Sequence, residues 1–316
     1  MNGENRLTRV TWDESTAALP ASRSNGKPSD NFSITPDNIT GIVNESFQSW
    51  PDQRAVYLLT TFVKYMHAYV RETRLNHAEW KYAMDYLHDT GLTGGEHTEE
   101  FILTSDILGI TAMVDMLESQ GSSATPASIL GPFYRKTAEV IPYGGDMIKA
   151  NQGIPLVCRG TIKNLKGEPI PNALIEVWQN HANGLYSGED ESQPEGNHHA
   201  RMYSTNEGRY LFTTTRPVPY RTSCHGPVTR INKMKNREPW RPAHVHFKFS
   251  AEGYKPLATE YFPADDPYVD RDAAFGVRKD LIVDFVLNED RGQAERYGIS
   301  APFYEIEYDF TLDWNK

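Results

Sequence analysis

The hydrophobic period of this chain changes once along its length. Val56, Leu59, Phe62, Val63, Met66 and Val70 recur at three- and four-residue intervals, which predicts an amphipathic helix. A second helix is predicted from Asn76 as N-cap, with Glu79 three residues on completing a capping box and Gly91 as the C-terminal stop. A third runs through Phe101, Leu108 and Met116, and packing of helix against helix is the simple account of all three stripes. After Ser119 short alternating runs and turn residues take over, at 156–162, 173–178, 209–214, 244–250, 257–262, 281–286 and 304–312. Many short strands at such spacing predict an antiparallel β-sandwich. Residues 1–45 are rich in Ser, Asn, Thr and Pro and read as an extended or disordered arm. The expected class is therefore α+β: an arm over 1–45, a helical domain over 46–120 and a β-sandwich over 121–316.

The run 244–250 carries the first hint of chemistry. Side chains alternate across a strand, so His244 and His246 share a face, and two imidazoles side by side on a rigid strand are a common metal-binding arrangement. A metal needs further ligands. Tyr186 follows the strand ending at Trp178, Tyr220 follows the strand holding Phe212, and His181, His198, His199 and His225 fall in predicted loops. A phenolate is a hard anionic donor that suits Fe(III) better than Zn(II), and a metal lowers the phenol pKa from about 10. Spacing alone does not choose between the tyrosines and the loop histidines. Acidic groups such as Glu189-Asp-Glu191 read as solvated loop charges.

Composition narrows the class. The 316 residues, 39% hydrophobic and 11% aromatic, are enough for a sizeable core. A net charge of −10 with no basic block argues against a nucleic-acid partner. No apolar run is long enough to span a bilayer, and the first 25 residues lack the apolar stretch of a secretory signal, so a cytoplasmic protein is expected. Cys158 and Cys224 make neither a disulfide framework nor a zinc knuckle.

Several motifs, in order and spacing, resemble the intradiol ring-cleavage dioxygenases. They are Gly131-Pro-Phe133-Tyr, Gly160-Thr-Ile with Pro171-Asn-Ala-Leu-Ile-Glu-Val-Trp178, Asn183-Gly-Leu-Tyr186-Ser, Pro219-Tyr220, Gly226-Pro227 and Arg241-Pro-Ala-His-Val-His246. Glu79-Trp80, Asp85-Tyr-Leu87 and the run 101–109 resemble the helical domain of the catechol and hydroxyquinol subgroup. The resemblance covers roughly residues 50–290. It implies that Tyr186, Tyr220, His244 and His246 ligate one non-haem Fe(III). It implies that Tyr220 also takes a substrate proton and that Arg241 lies beside the ring. Ile129, Leu130, Gly131, Pro132 and Phe133 match the pocket wall, and Leu103 and Asp106 match helical-domain residues facing the ring in hydroxyquinol enzymes. One position departs. Where many members carry Thr-Gln and others Thr-His, this chain has Thr259-Glu260, placed here beside the substrate.

The implied reaction joins O2 to an aromatic diol or triol: hydroxyquinol (benzene-1,2,4-triol) to 3-hydroxy-cis,cis-muconate or maleylacetate, or else catechol to cis,cis-muconate. The subgroup also implies a homodimer through the helical domain, with lipid between the helices. Asp106 supplies a physical reason for the triol, since a carboxylate at the ring edge accepts a hydrogen bond from a third hydroxyl; the plainer alternative is a pairing within the helical domain. Two other readings compete. A non-catalytic transthyretin-like module would have no reason to keep all four ligand positions, and a zinc hydrolase would leave the tyrosines unexplained.

Overall fold

The computed structural model describes residues 33–93, 99–150, 153–222, 226–235 and 238–315. Most of the expected arm, together with Cys224 and His225, lies outside them. The chain divides into two compact units after Asp85.

In the first unit α1 (Ile39–Glu45) is helical where an extended arm was expected. Local polar bonds account for it. Thr35 N–H donates to Asn38 Oδ1 at 2.8 Å and Asn38 N–H to Thr35 Oγ1 at 3.3 Å, so the chain is turned before the helix starts. Thr40 then meets His67 and Arg71 of α2 (Gln53–Thr73). Asp52 caps α2 by accepting from the N–H groups of Arg54 and Ala55. Its apolar stripe is not used up by packing: only Ala55 and Val56 are buried, while Phe62 is 61% and Tyr65 66% exposed.

Helix α3 (His77–Thr93) starts as expected. Asn76 Oδ1 accepts from Ala78 and Glu79 N–H, and Glu79 Oε2 accepts from Asn76 N–H, each at 3.0 Å. Gly91 does not stop it. The helix runs two residues further, which costs little because glycine inside a helix is only about 1 kcal/mol worse than alanine.

The second unit takes in the end of α3 and then two helices where one was expected, α4 (Glu100–Ile107) and α5 (Ile110–Ser119). Gly109 separates them in the left-handed region, φ 72°. The strands follow: β1 (Glu139–Val140), β2 (Gly145–Asp146), β3 (Pro155–Asn164), β4 (Leu174–Trp178), β5 (His199–Tyr203), β6 (Arg209–Thr215) and β7 (Tyr220–Arg221). After α6 (Val228–Met234) come β8 (Trp240–Arg241), β9 (Val245–Ser250), β10 (Leu257–Pro263), β11 (Ile282–Val283) and β12 (Val286–Asn288). Helix α7 (Arg291–Arg296), β13 (Phe303–Glu307) and β14 (Phe310–Leu312) complete the unit.

One sheet runs β1-β5-β4-β9-β10-β11, the other β12-β13-β3-β6-β2 with β14 also on β3. The sandwich is mixed and not antiparallel throughout. The β1–β5, β2–β6, β10–β11, β13–β3 and β14–β3 pairs are parallel. Each joins segments separated by a long connection, which is what a parallel neighbour requires. Two expected strands are also split, into β11 with β12 and β13 with β14.

The core lies between the sheets and is aromatic: Tyr210, Phe212, Phe247, Phe249, Tyr261 and Phe310. On β9 the residues Val245, Phe247 and Phe249 point into it. The alternate positions His246 and Lys248 are therefore turned to the sheet's other face, and they too are buried. Helix α4 brings Leu103 and Asp106 to a cleft beside Arg241 and Tyr220, and it packs on α6. Glu100 accepts from the Val228 N–H at 2.9 Å, and Leu103, Ile107 and Val228 form a small cluster. Among the described residues no helix is long and apolar enough to cross a membrane.

Candidate metal and active site

Register builds the site. His246 lies opposite Trp178 on β4 and opposite Glu260 on β10. The indole stacks on the imidazole at 4.8 Å, with the two planes 6° apart. Gly131 packs against the same ring: a Cβ there would come within 3.2 Å of His246 Cε1, and the backbone has φ 73°. His244 precedes β9. Its Nδ1 is 2.7 Å from the Pro242 carbonyl, which can only accept, so Nδ1 carries the proton and Nε2 is left with its lone pair. The Nε2 atoms of His244 and His246 converge to 3.1 Å. Both rings are held well below the ordinary histidine pKa, first by burial and then by neighbouring positive charge, and so stand neutral.

Tyr186 sits in the turn after β4 with Oη 3.3 Å from His244 Nε2, its ring stacked on Phe133 at 4.3 Å. Tyr220 on β7 lies edge-on to Tyr186 at 5.7 Å and 5.6 Å from the His244 ring. Burial pushes Tyr220 up to about 12, against the pull of Arg241, and holds Tyr186 well above the ordinary phenol value. Without a cation both stay phenols. With one, two neutral imidazoles and two phenolates make a donor set suited to a hard trivalent ion. His244, His246 and Glu260 also bring one ligand atom each within 4.8 Å of one another, a trio that could hold a metal ion.

Arg241 lies on β8, paired with Tyr220 across the ribbon. It is 2% exposed. Two carboxylates grip it from behind: Asp272 through Nε at 3.0 Å and Nη2 at 3.2 Å, and Glu260 through Nη1 at 3.0 Å and Nη2 at 3.2 Å. Burial would raise Asp272, but Arg241 outweighs it and holds the carboxyl below its ordinary value. Ser128 donates to Glu260 Oε2 at 2.6 Å.

A cleft of about 330 Å³, counted to its open mouth, reaches this cluster. Leu103, Asp106, Ile129, Pro132, Phe133, Tyr220 and Arg241 line it, all expected, and so does Glu189, which is exposed as its loop reading expected. Leu130 and Gly131 are not in its wall; Leu130 packs with Trp178 and Tyr186 behind it. Glu260 is not in the wall either, but lies behind Arg241.

Two of the described loop histidines pair with each other rather than with the site. His181 and His198 face each other at 3.0 Å, and His198 continues to Thr214 at 3.2 Å. His199 begins β5 and meets the carbonyls of Asn197 and Phe133. Trp178, Ser128, Asp272 and the Pro242 carbonyl were not singled out from sequence; only the strand alternation of Trp178 could have signalled a place on the His246 face.

Asp106 is the unusual group of the cleft. It is 1% exposed, and neither carboxylate oxygen has a regular hydrogen bond, although the Thr111 hydroxyl is near enough to lower its pKa.

Two family models cover most of the chain. Residues 129–314 match one described as "Dioxygenase", and residues 52–125 match "Catechol dioxygenase N terminus". The match thus extends past residue 290. The 6-chlorohydroxyquinol 1,2-dioxygenase of Cupriavidus pinatubonensis is 34% identical over 277 residues, 87% of this chain and 96% of that one. The hydroxyquinol 1,2-dioxygenase of Rhodococcus opacus is 37% identical over 244 residues, 76% and 81% of the two chains. The solved hydroxyquinol 1,2-dioxygenase of Pseudomonas putida DLL-E4 superposes with a TM-score of 0.77 at 34% identity, covering 89% of this chain and 99% of that one.

Asp106 carries a stability prediction. Burial, resisted by Thr111 and Arg241, pushes its carboxyl from 3.8 to about 7. Between those values the folded chain binds a proton that the unfolded chain has lost, so stability falls as pH rises through that window. The full cost, present above pH 7, is on the order of 4 kcal/mol. Asp106→Asn is expected to be more stable than the parent at pH 8, with the difference shrinking toward pH 4. Urea unfolding across that range checks it, and a difference independent of pH would refute it.

Proposed function

The chain belongs to the intradiol ring-cleaving dioxygenases, and from that premise we propose that it cleaves hydroxyquinol with O2 to 3-hydroxy-cis,cis-muconate or its tautomer maleylacetate. The observation that carries the substrate is Asp106, a buried carboxylate in the cleft with neither oxygen in a regular hydrogen bond. A third ring hydroxyl gives it a donor; plain catechol leaves it desolvated and unpaired.

Tyr186, Tyr220, His244 and His246 would hold one non-haem Fe(III) per chain. The ferric ion, when bound, supplies the electron-accepting centre that makes a chelated diol reactive toward dioxygen. The protein does the rest. Tyr220 Oη accepts a proton from a substrate hydroxyl. The Arg241 guanidinium, fixed from behind by two carboxylates, stabilises negative charge growing on the ring. Leu103, Ile129, Pro132 and Phe133 keep the ring flat against apolar wall and exclude water. Leu130 and Gly131 act from behind that wall, Gly131 by letting the backbone approach His246.

The helical domain, taken as 46–120, would dimerise two copies in the cytoplasm and hold lipid between its helices. The support is the apolar surface α2 leaves uncovered at Tyr57, Phe62, Tyr65 and Tyr69. Sedimentation is expected to give a dimer at micromolar concentration, and a monomer there would refute this part.

For the metal, purified protein is expected to be wine-red with one iron per chain, and His246→Ala to lose both iron and colour. Full iron occupancy in that variant would remove His246 from the ligand set.

For the substrate, steady-state oxygen uptake should give the highest kcat/KM on hydroxyquinol, less on catechol and almost none on protocatechuate. Asp106→Asn should narrow the gap between the first two by about tenfold or more, the scale of one hydrogen bond to a charged group. Catechol leading in the parent would make this a catechol 1,2-dioxygenase.

A further inference from the structure

We propose that Glu260 is a positioning residue that passes negative charge to the metal through the His246 imidazole and thereby sets how readily the iron is reduced. The inference rests on the functional reading above and deepens it at one residue.

Three observations carry it. First, the β9–β10 register places Glu260 directly opposite His246, on the face turned away from the core. Second, Glu260 Oε1 lies 3.1 Å from His246 Nδ1, the ring nitrogen on the side away from the converging Nε2 pair. Both atoms are buried and neither makes a regular hydrogen bond, to the other or elsewhere, so they meet as a close charged contact; the Ile129 backbone also reaches this ring. Third, the carboxylate is tied in place. Ser128 donates to Oε2 and Arg241 reaches both oxygens, while Glu260 itself is 0% exposed.

The charge sum gives the arrangement its meaning. Arg241 is the one cation these contacts supply, and Asp272 already takes two of its donors. Burial pushes the Glu260 carboxyl up, while Arg241 and Ser128 pull it down; with both carboxylates ionised, the trio carries a net charge of −1 behind the imidazole. A carboxylate held against the far nitrogen of a ligating histidine makes that ring a stronger donor, and losing such a partner typically costs ten- to a hundred-fold in metal affinity or activity. A stronger donor stabilises the ferric over the ferrous ion. A neutral side chain at 260, such as the Gln or His of the resembling sequences, would not supply that charge.

A different role for Glu260 is direct ligation, as the third member of a His244–His246–Glu260 facial set. Glu260 Oε1 lies 3.1 Å from His246 Nδ1 and 3.6 Å from His244 Nε2, while the two Nε2 atoms meet at 3.1 Å, so ligation by Glu260 would have to draw it from the nearer Nδ1 toward the Nε2 pair. The two roles predict opposite results.

The test compares the iron-loaded parent with Glu260→Gln and Glu260→Asp. Iron content, the phenolate-to-iron absorption band and the ferric–ferrous equilibrium against a one-electron mediator dye are measured, with thermal unfolding as a check on folding. Glu260→Gln is expected to keep its iron and move the band to longer wavelength. Its equilibrium should shift about tenfold toward ferrous iron, equivalent to about 59 mV for one electron. Glu260→Asp, which keeps the charge, should lie nearer the parent in both. Retained iron with band and equilibrium unmoved would overturn the proposal. So would loss of iron from a folded Glu260→Gln, which would make Glu260 a ligand. An iron-free, colourless parent would instead overturn the functional reading, and this inference with it.

Discussion

The site depends on the register of β9. One face of this strand carries Val245, Phe247 and Phe249 into the aromatic core, and the other carries His246 and Lys248. A slip by one residue would put an imidazole among phenylalanines and a phenylalanine in the site. Core packing therefore decides where the His246 imidazole points. The neighbouring strands inherit the same alignment: β4 brings Trp178 and β10 brings Glu260 to either side of His246. Phe247 touches five other aromatic rings of the core, and each of those contacts also orients His246.

Around that row lies a layer of buried charge whose purpose is geometric more than stabilising. Arg241, Glu260 and Asp272 are each at most 3% exposed. Removing ions from water costs several kcal/mol apiece, so such a cluster is poor evidence of stability. It does fix the guanidinium, which a single partner would leave free to swing. Asp106 goes further, since it is buried without a regular hydrogen bond at all. An uncompensated group of this kind persists where function outweighs the fold's preference.

The sequence was most readable where a period or a cap is enforced locally. The capping box at Asn76 and Glu79 and the alternation through His246 appear as expected, because each rests on residues a few positions apart. The break at Gly109 was missed because apolar spacing continues across it, and one left-handed glycine leaves that spacing intact. Short strands such as β1 and β2 were missed because two residues carry no period. In the site, the type of each proposed ligand could be argued from donor chemistry, but spacing left the tyrosines and the loop histidines undivided, and only the family resemblance favoured the tyrosines. Only coordinates show His181 and His198 occupied with each other. Glu260 was noticed as a departure, yet its place behind Arg241 depends on pairing between strands.

The four proposed ligands are not anchored alike. His246 is gripped between strands of a six-stranded sheet, and His244 is fixed by a carbonyl two residues away. Tyr186 is clamped on Phe133. Tyr220 rides on β7, a two-residue ribbon paired with β8 alone and outside both large sheets. Compliance is thus concentrated under one ligand. Displacing it strains two backbone pairings and leaves the sandwich intact, whereas displacing His246 would work against its sheet and displacing Tyr186 against its stack on Phe133. The fold itself ranks the ligands by how cheaply each lets go, and it ranks Tyr220 first.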